Sequence, residues 1–222
     1  MNKLLLPAIA LVAALGAGAW WFTSQQSAAP EILASTSDGV ATGADTELHP
    51  LDMPLGNPDA SVVMVEYSSL TCPHCATFNQ GVFQQIKENF VDTGEVFYLK
   101  REVYFDRPGL WAAMVARCGG EERYHGMLNL IYETQSHWAG TNDPAEIANR
   151  LRRLGRQAGM SDEQVNACLE DGDKALAMTE FYQANAETYG IRSTPSFVID
   201  GTLYSNMSYA EFERILNEKL GG

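Results

Sequence analysis

Between residues 60 and 103 the spacing of apolar positions changes period twice. Val62, Val63, Met64 and Val65 form an unbroken apolar run, the pattern of a strand covered on both faces. Further on, Phe78, Val82, Ile86 and Phe90 recur every fourth residue with Phe83 beside them, which predicts one face of an amphipathic helix. Val96-Phe97-Tyr98-Leu99 then resumes a strand pattern after a turn at Asp92-Thr93-Gly94. Strand, helix and strand joined by a right-handed crossover make a parallel pair.

The next stretch is helical throughout. Pro108 opens a helix with Leu110, Met114 and Cys118 on one face, and Gly119-Gly120 ends it. A second helix is predicted over Glu122 to Thr134, with Met127, Leu128, Leu130 and Ile131 as core. Asp143-Pro144-x-Glu146 is a capped start whose helix runs to Gly159, and Ser161-x-x-Gln164 caps another that carries Cys168. A longer helix follows from about Asp173 to Tyr189. Strands return late: Asp200-Gly201 between Phe197-Val198-Ile199 and Thr202-Leu203-Tyr204 spells a two-residue type I′ hairpin. Ser208 begins a final helix with Phe212, Ile215 and Leu216 inward. This order predicts a sheet domain in two pieces, residues 56–107 and 190–222, interrupted by a helical insertion at 108–189. Residues 23–55, rich in Ala, Ser, Thr, Gly and Pro without periodicity, are expected to be a flexible tether with a short strand near its end.

The whole-chain figures narrow the function classes. The 222 residues carry a formal net charge of −13, which disfavours nucleic-acid or anionic-lipid partners and favours solubility. Arg150, Arg152, Arg153 and Arg156 stand out against that acidity, and a solvated helix face is the expected reading. Residues 1–22 have the form of an export signal: Met1-Asn2-Lys3, then Leu4 to Phe22 without a charge. Small-x-small sites at Ala17-Gly18-Ala19 and Ser27-Ala28-Ala29 allow cleavage. The run ending in Trp20-Trp21 is equally long enough to span a bilayer with an aromatic anchor. Either outcome delivers the rest of the chain outside the cytoplasm, soluble or tethered to the inner membrane.

The chemistry concentrates at Thr71-Cys72-Pro73-His74-Cys75, where a strand gives way to a helix. Cys72 is placed at the N-cap and Pro73 at N1, where a missing N–H costs nothing. A sulfur there meets unpaired N–H groups and the positive end of the helix dipole, which favours the thiolate. Cys75 follows one turn later. Cys-x-x-Cys in this setting reads as a thiol–disulfide exchange centre. The competing reading is half a zinc site, but Cys118, Cys168, His49, His125 and His137 supply no second ligand pair at close spacing, so no metal is expected. In an exported protein Cys118 and Cys168 are most simply paired with each other, with two separate buried thiols as the alternative. Such a bridge would contribute about 4 kcal/mol through loop-closure entropy.

Cys72-Pro73-His74-Cys75, the helical insertion, and Ile191-Arg192-Ser193-Thr194-Pro195-Ser196-Phe197 together resemble the DsbA-type thiol:disulfide oxidoreductases of the thioredoxin superfamily. The resemblance covers about residues 50 to 220 and implies a thioredoxin fold, α/β in class, with an all-helical domain inserted in the middle. It implies a cis peptide at Pro195 against the active-site sulfurs, and backbone at Thr194 presented to the substrate. It also implies that Glu66 is a buried acid paired with Lys100. Thr194 is a departure, since oxidases of this type often carry Val there and isomerase-like relatives often carry Thr. A second cysteine pair in the helical block resembles a subgroup of the family.

The roles expected from these readings are specific. Cys72 is the nucleophile and Cys75 the resolving thiol. His74 stabilises the Cys72 thiolate with a donor or a positive charge. Glu66, six residues before Cys72, handles the Cys75 proton. The function expected is disulfide donation to reduced exported proteins across an apolar groove around Cys72, Thr194 and Pro195. Reoxidation would come from a membrane partner of the DsbB type. The protein is expected to be a monomer without a cofactor. Alternatives are an isomerase or reductase, favoured by Thr194, and a dithiol module that binds metal or client chains.

Overall fold

The computed structural model describes residues 48–221. The segment read as an export signal, and the tether as far as residue 47, lie outside the described residues. Among those described, no helix is long and apolar enough to cross a membrane.

A four-stranded mixed sheet organises the fold, in the order β2-β1-β3-β4. Strand β1 (Val62–Ser68) pairs in parallel with β2 (Val96–Glu102), as the crossover requires. It pairs antiparallel with β3 (Ser196–Ile199), which turns into β4 (Thr202–Ser205). At that turn Asp200 has φ 43° and Gly201 φ 78°, the two positive values that a type I′ hairpin needs. The apolar run in β1 divides between both sheet faces. Val62 and Met64 pack with Phe78, Phe83, Ile86, Phe90, Phe212 and Leu216 on one side, while Val65 and Tyr67 pack with Phe97, Leu99 and Val198 on the other.

Between β1 and β2 the helical face is present, but the helix is not continuous. Helix α1 (Pro73–Gln80) stops at Gly81, whose φ −121° and ψ −83° are not helical. A short helix α2 (Val82–Ile86) and a π-helical turn (Lys87–Val91) complete the crossover. Glycine is a poor residue for a helix interior, and here its N–H still bonds the carbonyls of Thr77 and Phe78. The break changes direction while Phe78, Phe83, Ile86 and Phe90 all stay buried.

The insertion comprises α3 (Arg107–Cys118), α4 (Glu121–Glu133), α5 (Gln135–Trp138), α6 (Pro144–Gln157), α7 (Asp162–Glu170) and α8 (Gly172–Thr188). Its core gathers Met114, Leu128, Ile131, Trp138, Leu151 and Val165, and continues to Leu70 and Cys75 beside the sheet. The caps are those read from sequence: Asp143 on α6, and full capping boxes at Ser161 with Gln164 and at Ser208 with Glu211. The last of these opens α9 (Tyr209–Lys219). Cys118 and Cys168 form a disulfide with Cα atoms 5.8 Å apart, tying the end of α3 to α7. The short strand expected near residue 55 is a single bridge, in which Leu55 exchanges backbone hydrogen bonds of 2.8 and 2.9 Å with Tyr98.

Candidate active site

Cys72 occupies the N-cap of α1 with extended backbone (φ −81°, ψ 119°) and Pro73 follows at N1. The helix therefore begins with unpaired N–H groups beside the sulfur. Both cysteines are free thiols, Cys72 half-buried and Cys75 fully buried. The peptide bond between Thr194 and Pro195 is cis, and the Thr194 carbonyl accepts a hydrogen bond from the Cys72 Sγ at 3.5 Å. The loop before β3, 122 residues further along the chain, is thereby set against the Cys72 sulfur.

The two sulfurs have opposite electrostatic surroundings. Partial burial pushes the Cys72 thiol up. Hydrogen bonds from the Thr194 side chain, from Cys75 and from the His74 backbone outweigh it, and the thiol ends below its ordinary range. Cys75 is pushed far up, first by burial and then by the negative charge of Glu66. One thiol is thus shifted toward thiolate and the other toward the protonated form. His74 itself is exposed, and what it brings to Cys72 is its backbone N–H at the helix start.

Glu66 is completely buried on β1, opposite Lys100 in the β1–β2 register. The Lys100 Nζ lies 3.1 Å from Glu66 Oε1, off the axis of a hydrogen bond, and Oε1 has no hydrogen-bond partner among the described residues. Oε2 accepts from the Tyr98 hydroxyl. Lys100 is itself enclosed: its ammonium sits over the rings of Phe83 and Tyr132 and contacts Asn79 Oδ1 at 3.3 Å. A buried carboxylate, a buried ammonium and a buried phenol therefore form one cluster, and the charge of the carboxylate reaches Cys75.

Three contributors lie outside the sequence reading. Tyr98 carries no motif, yet it shares a face of β2 with Lys100, a period-two relation visible once the strand is placed. Gln135 on α5 donates to the carbonyls of Leu70 at 2.8 Å and Cys72 at 3.1 Å, fixing the loop that leads into α1 from the helical insertion. Thr71 donates to Asp106 at 2.7 Å, and Asp106 caps α3 through the Gly109 N–H. No local signal marks the last two, because their partners are 63 and 35 residues away. Cys118 and Cys168 lie apart from this site, joined to each other.

A family model described as thioredoxin matches residues 49–218. The chain belongs to the thioredoxin family. Within that family it is DsbA-like. The solved structure of Wolbachia pipientis alpha-DsbA1 is similar with a TM-score of 0.71 and 26% identity, over 78% of this chain and 93% of that one. The Disulfide bond formation protein D of Bacillus subtilis is 37% identical, covering 76% of this chain and 77% of that protein. A Rickettsia typhi chain provisionally named protein-disulfide oxidoreductase is 35% identical over 76% of this chain, and the match spans 62% of that relative's length. This thioredoxin-family chain has the fold expected from its sequence, with the helical block between β2 and β3.

Proposed function

We propose that this protein is a thiol:disulfide oxidoreductase that introduces disulfide bonds into exported proteins by exchange at Cys72 and Cys75. The observation that carries the reading is the pairing of a half-buried sulfur held toward thiolate with a buried sulfur held toward thiol. In the oxidised enzyme a substrate thiolate attacks Cys72 Sγ, the Cys72–Cys75 bond breaks, and Cys75 leaves and takes a proton. A second substrate thiol then attacks the substrate sulfur of the mixed disulfide and releases the Cys72 thiolate. Hydrogen bonds that stabilise this thiolate stabilise the reduced enzyme, and so make its disulfide more oxidising. The names of the relatives support disulfide chemistry of this kind.

In this reading Thr194 and Pro195 flank the substrate's cysteine, Glu66 exchanges a proton with Cys75, and His74 lends a donor to the Cys72 thiolate. The enzyme works in the periplasm, cleaved from or held by residues 4–22, and a membrane partner of the DsbB type reoxidises it. A second reading, isomerase or reductase, rests on Thr194, whose side chain bonds the Cys72 sulfur where an aliphatic residue would not. The reduction potential against a glutathione buffer separates the two. A value near about −120 mV is expected for the oxidase, and one near about −270 mV would overturn it in favour of a reductase.

A further inference from the structure

We propose that Tyr98 is a positioning residue for the proton transfer at Cys75: by donating to Glu66 Oε2 it fixes the buried carboxylate in place and leaves Oε1 as the atom that takes the proton. The inference rests on the exchange reading above, in which Glu66 is the base for Cys75. Glu66 and Tyr98 are both completely buried, and the phenol hydrogen bond occupies one carboxylate oxygen. The other oxygen faces the Lys100 ammonium at 3.1 Å but accepts no hydrogen bond among the described residues. A buried acceptor left open in this way is costly unless it is used. The charged and titratable groups around the pair come from several elements. They are Lys100 on β2, Cys75 on α1, and Tyr124 and Tyr132 on α4. His125, also on α4, feels the Lys100 charge from further off. Burial and the Glu66 charge hold the Tyr98 hydroxyl well above its ordinary range, so it serves as a donor and does not compete for the proton.

The step that uses this arrangement is closure of the active-site disulfide. When reduced protein meets glutathione disulfide, the Cys72 thiolate attacks one glutathione sulfur, forming a mixed disulfide and releasing a glutathione thiolate. The Cys75 thiol then passes its proton to Glu66 Oε1. The Cys75 sulfur attacks Cys72 Sγ, the Cys72–Cys75 bond forms, and the second glutathione leaves as thiolate. Two protein thiols are oxidised and one glutathione disulfide is reduced. The proton moves between two buried groups, so a second anion never forms beside an ionised Glu66. Without the Tyr98 donor the carboxylate loses the hydrogen bond that fixes its orientation, and Oε1 is no longer held as the acceptor.

The test follows formation and decay of the glutathionylated intermediate by acid quench and mass spectrometry, in the full chain. Tyr98→Phe should slow this step about tenfold while the rate at which the glutathionylated intermediate forms stays unchanged. Tyr124→Phe removes a comparable buried donor from a different carboxylate, Glu102, and should leave both rates in place. Equal closure rates for the two variants, with Glu66→Gln still slowing closure, would overturn the role of Tyr98 alone. Unchanged closure in Glu66→Gln would instead remove the base reading, and this inference with it.

Discussion

At Cys72 two influences oppose each other: partial burial favours the thiol, and four hydrogen bonds favour the thiolate. The balance falls toward thiolate, and the Thr194 side chain heads the stabilising group. Thr194→Val should therefore raise the Cys72 pKa, seen as a later rise in thiolate absorbance near 240 nm during titration. An unmoved titration would show that the backbone donors suffice. The stability consequence has a definite sign. A group whose folded pKa is depressed contributes stability that is fully present above its ordinary value, 9.0 for Cys72, and is lost as pH falls through the folded one. The thermal midpoint of the reduced protein, minus that of Cys72→Ser, should accordingly widen with rising pH up to about 9 and level off on the acid side. Cys75 behaves oppositely. At any one pH iodoacetamide should label Cys72 faster than Cys75, and comparable labelling of both would contradict the electrostatic asymmetry.

Among the elements, those defined by their own residues could be read directly, and those defined by partners could not. The cap at Ser208, the Asp200-Gly201 turn and the Cys72–Pro73 helix start depend on side chains within three or four positions, so the sequence states them in full. Ser208→Ala should cost about 1 kcal/mol of unfolding free energy in a urea titration. The break at Gly81 was hidden because Phe78, Phe83, Ile86 and Phe90 stay on one buried face whether or not the helix is continuous. Glu66 stands out by its place six residues before Cys72, but its pairing with Lys100 is legible only through the family resemblance. The Tyr98 contact needed the β1–β2 register, which spacing alone does not give. Gln135 is further from reach, since α5 meets the active-site loop only through packing of the insertion. Gln135→Ala leaves the Leu70 and Cys72 carbonyls without that donor and should cost about 1 kcal/mol. It should also slow alkylation of Cys72 at fixed pH; an unchanged alkylation rate would confine its role to stability.

For the whole molecule, buried ion pairs join what the sequence presents as separate regions. Arg101 grips Asp52 with bonds of 2.8 and 2.9 Å and also reaches Asn185 on α8. Arg117 on α3 pairs with Glu102 on β2 and bonds the Leu51 carbonyl. The stretch just before β1 is thus fastened to both the sheet and the insertion. Asp52→Ala strands a buried guanidinium and should cost about 3–5 kcal/mol in chemical denaturation. A loss well under 1 kcal/mol would mean that water reaches Arg101. The bridge between Cys118 and Cys168 has a separate consequence for how damage would look. It encloses most of the insertion, including α4, α5 and α6, so a single protease cut between those cysteines leaves two fragments covalently joined. A nicked molecule would migrate as one band on a denaturing gel without reductant and as two with it.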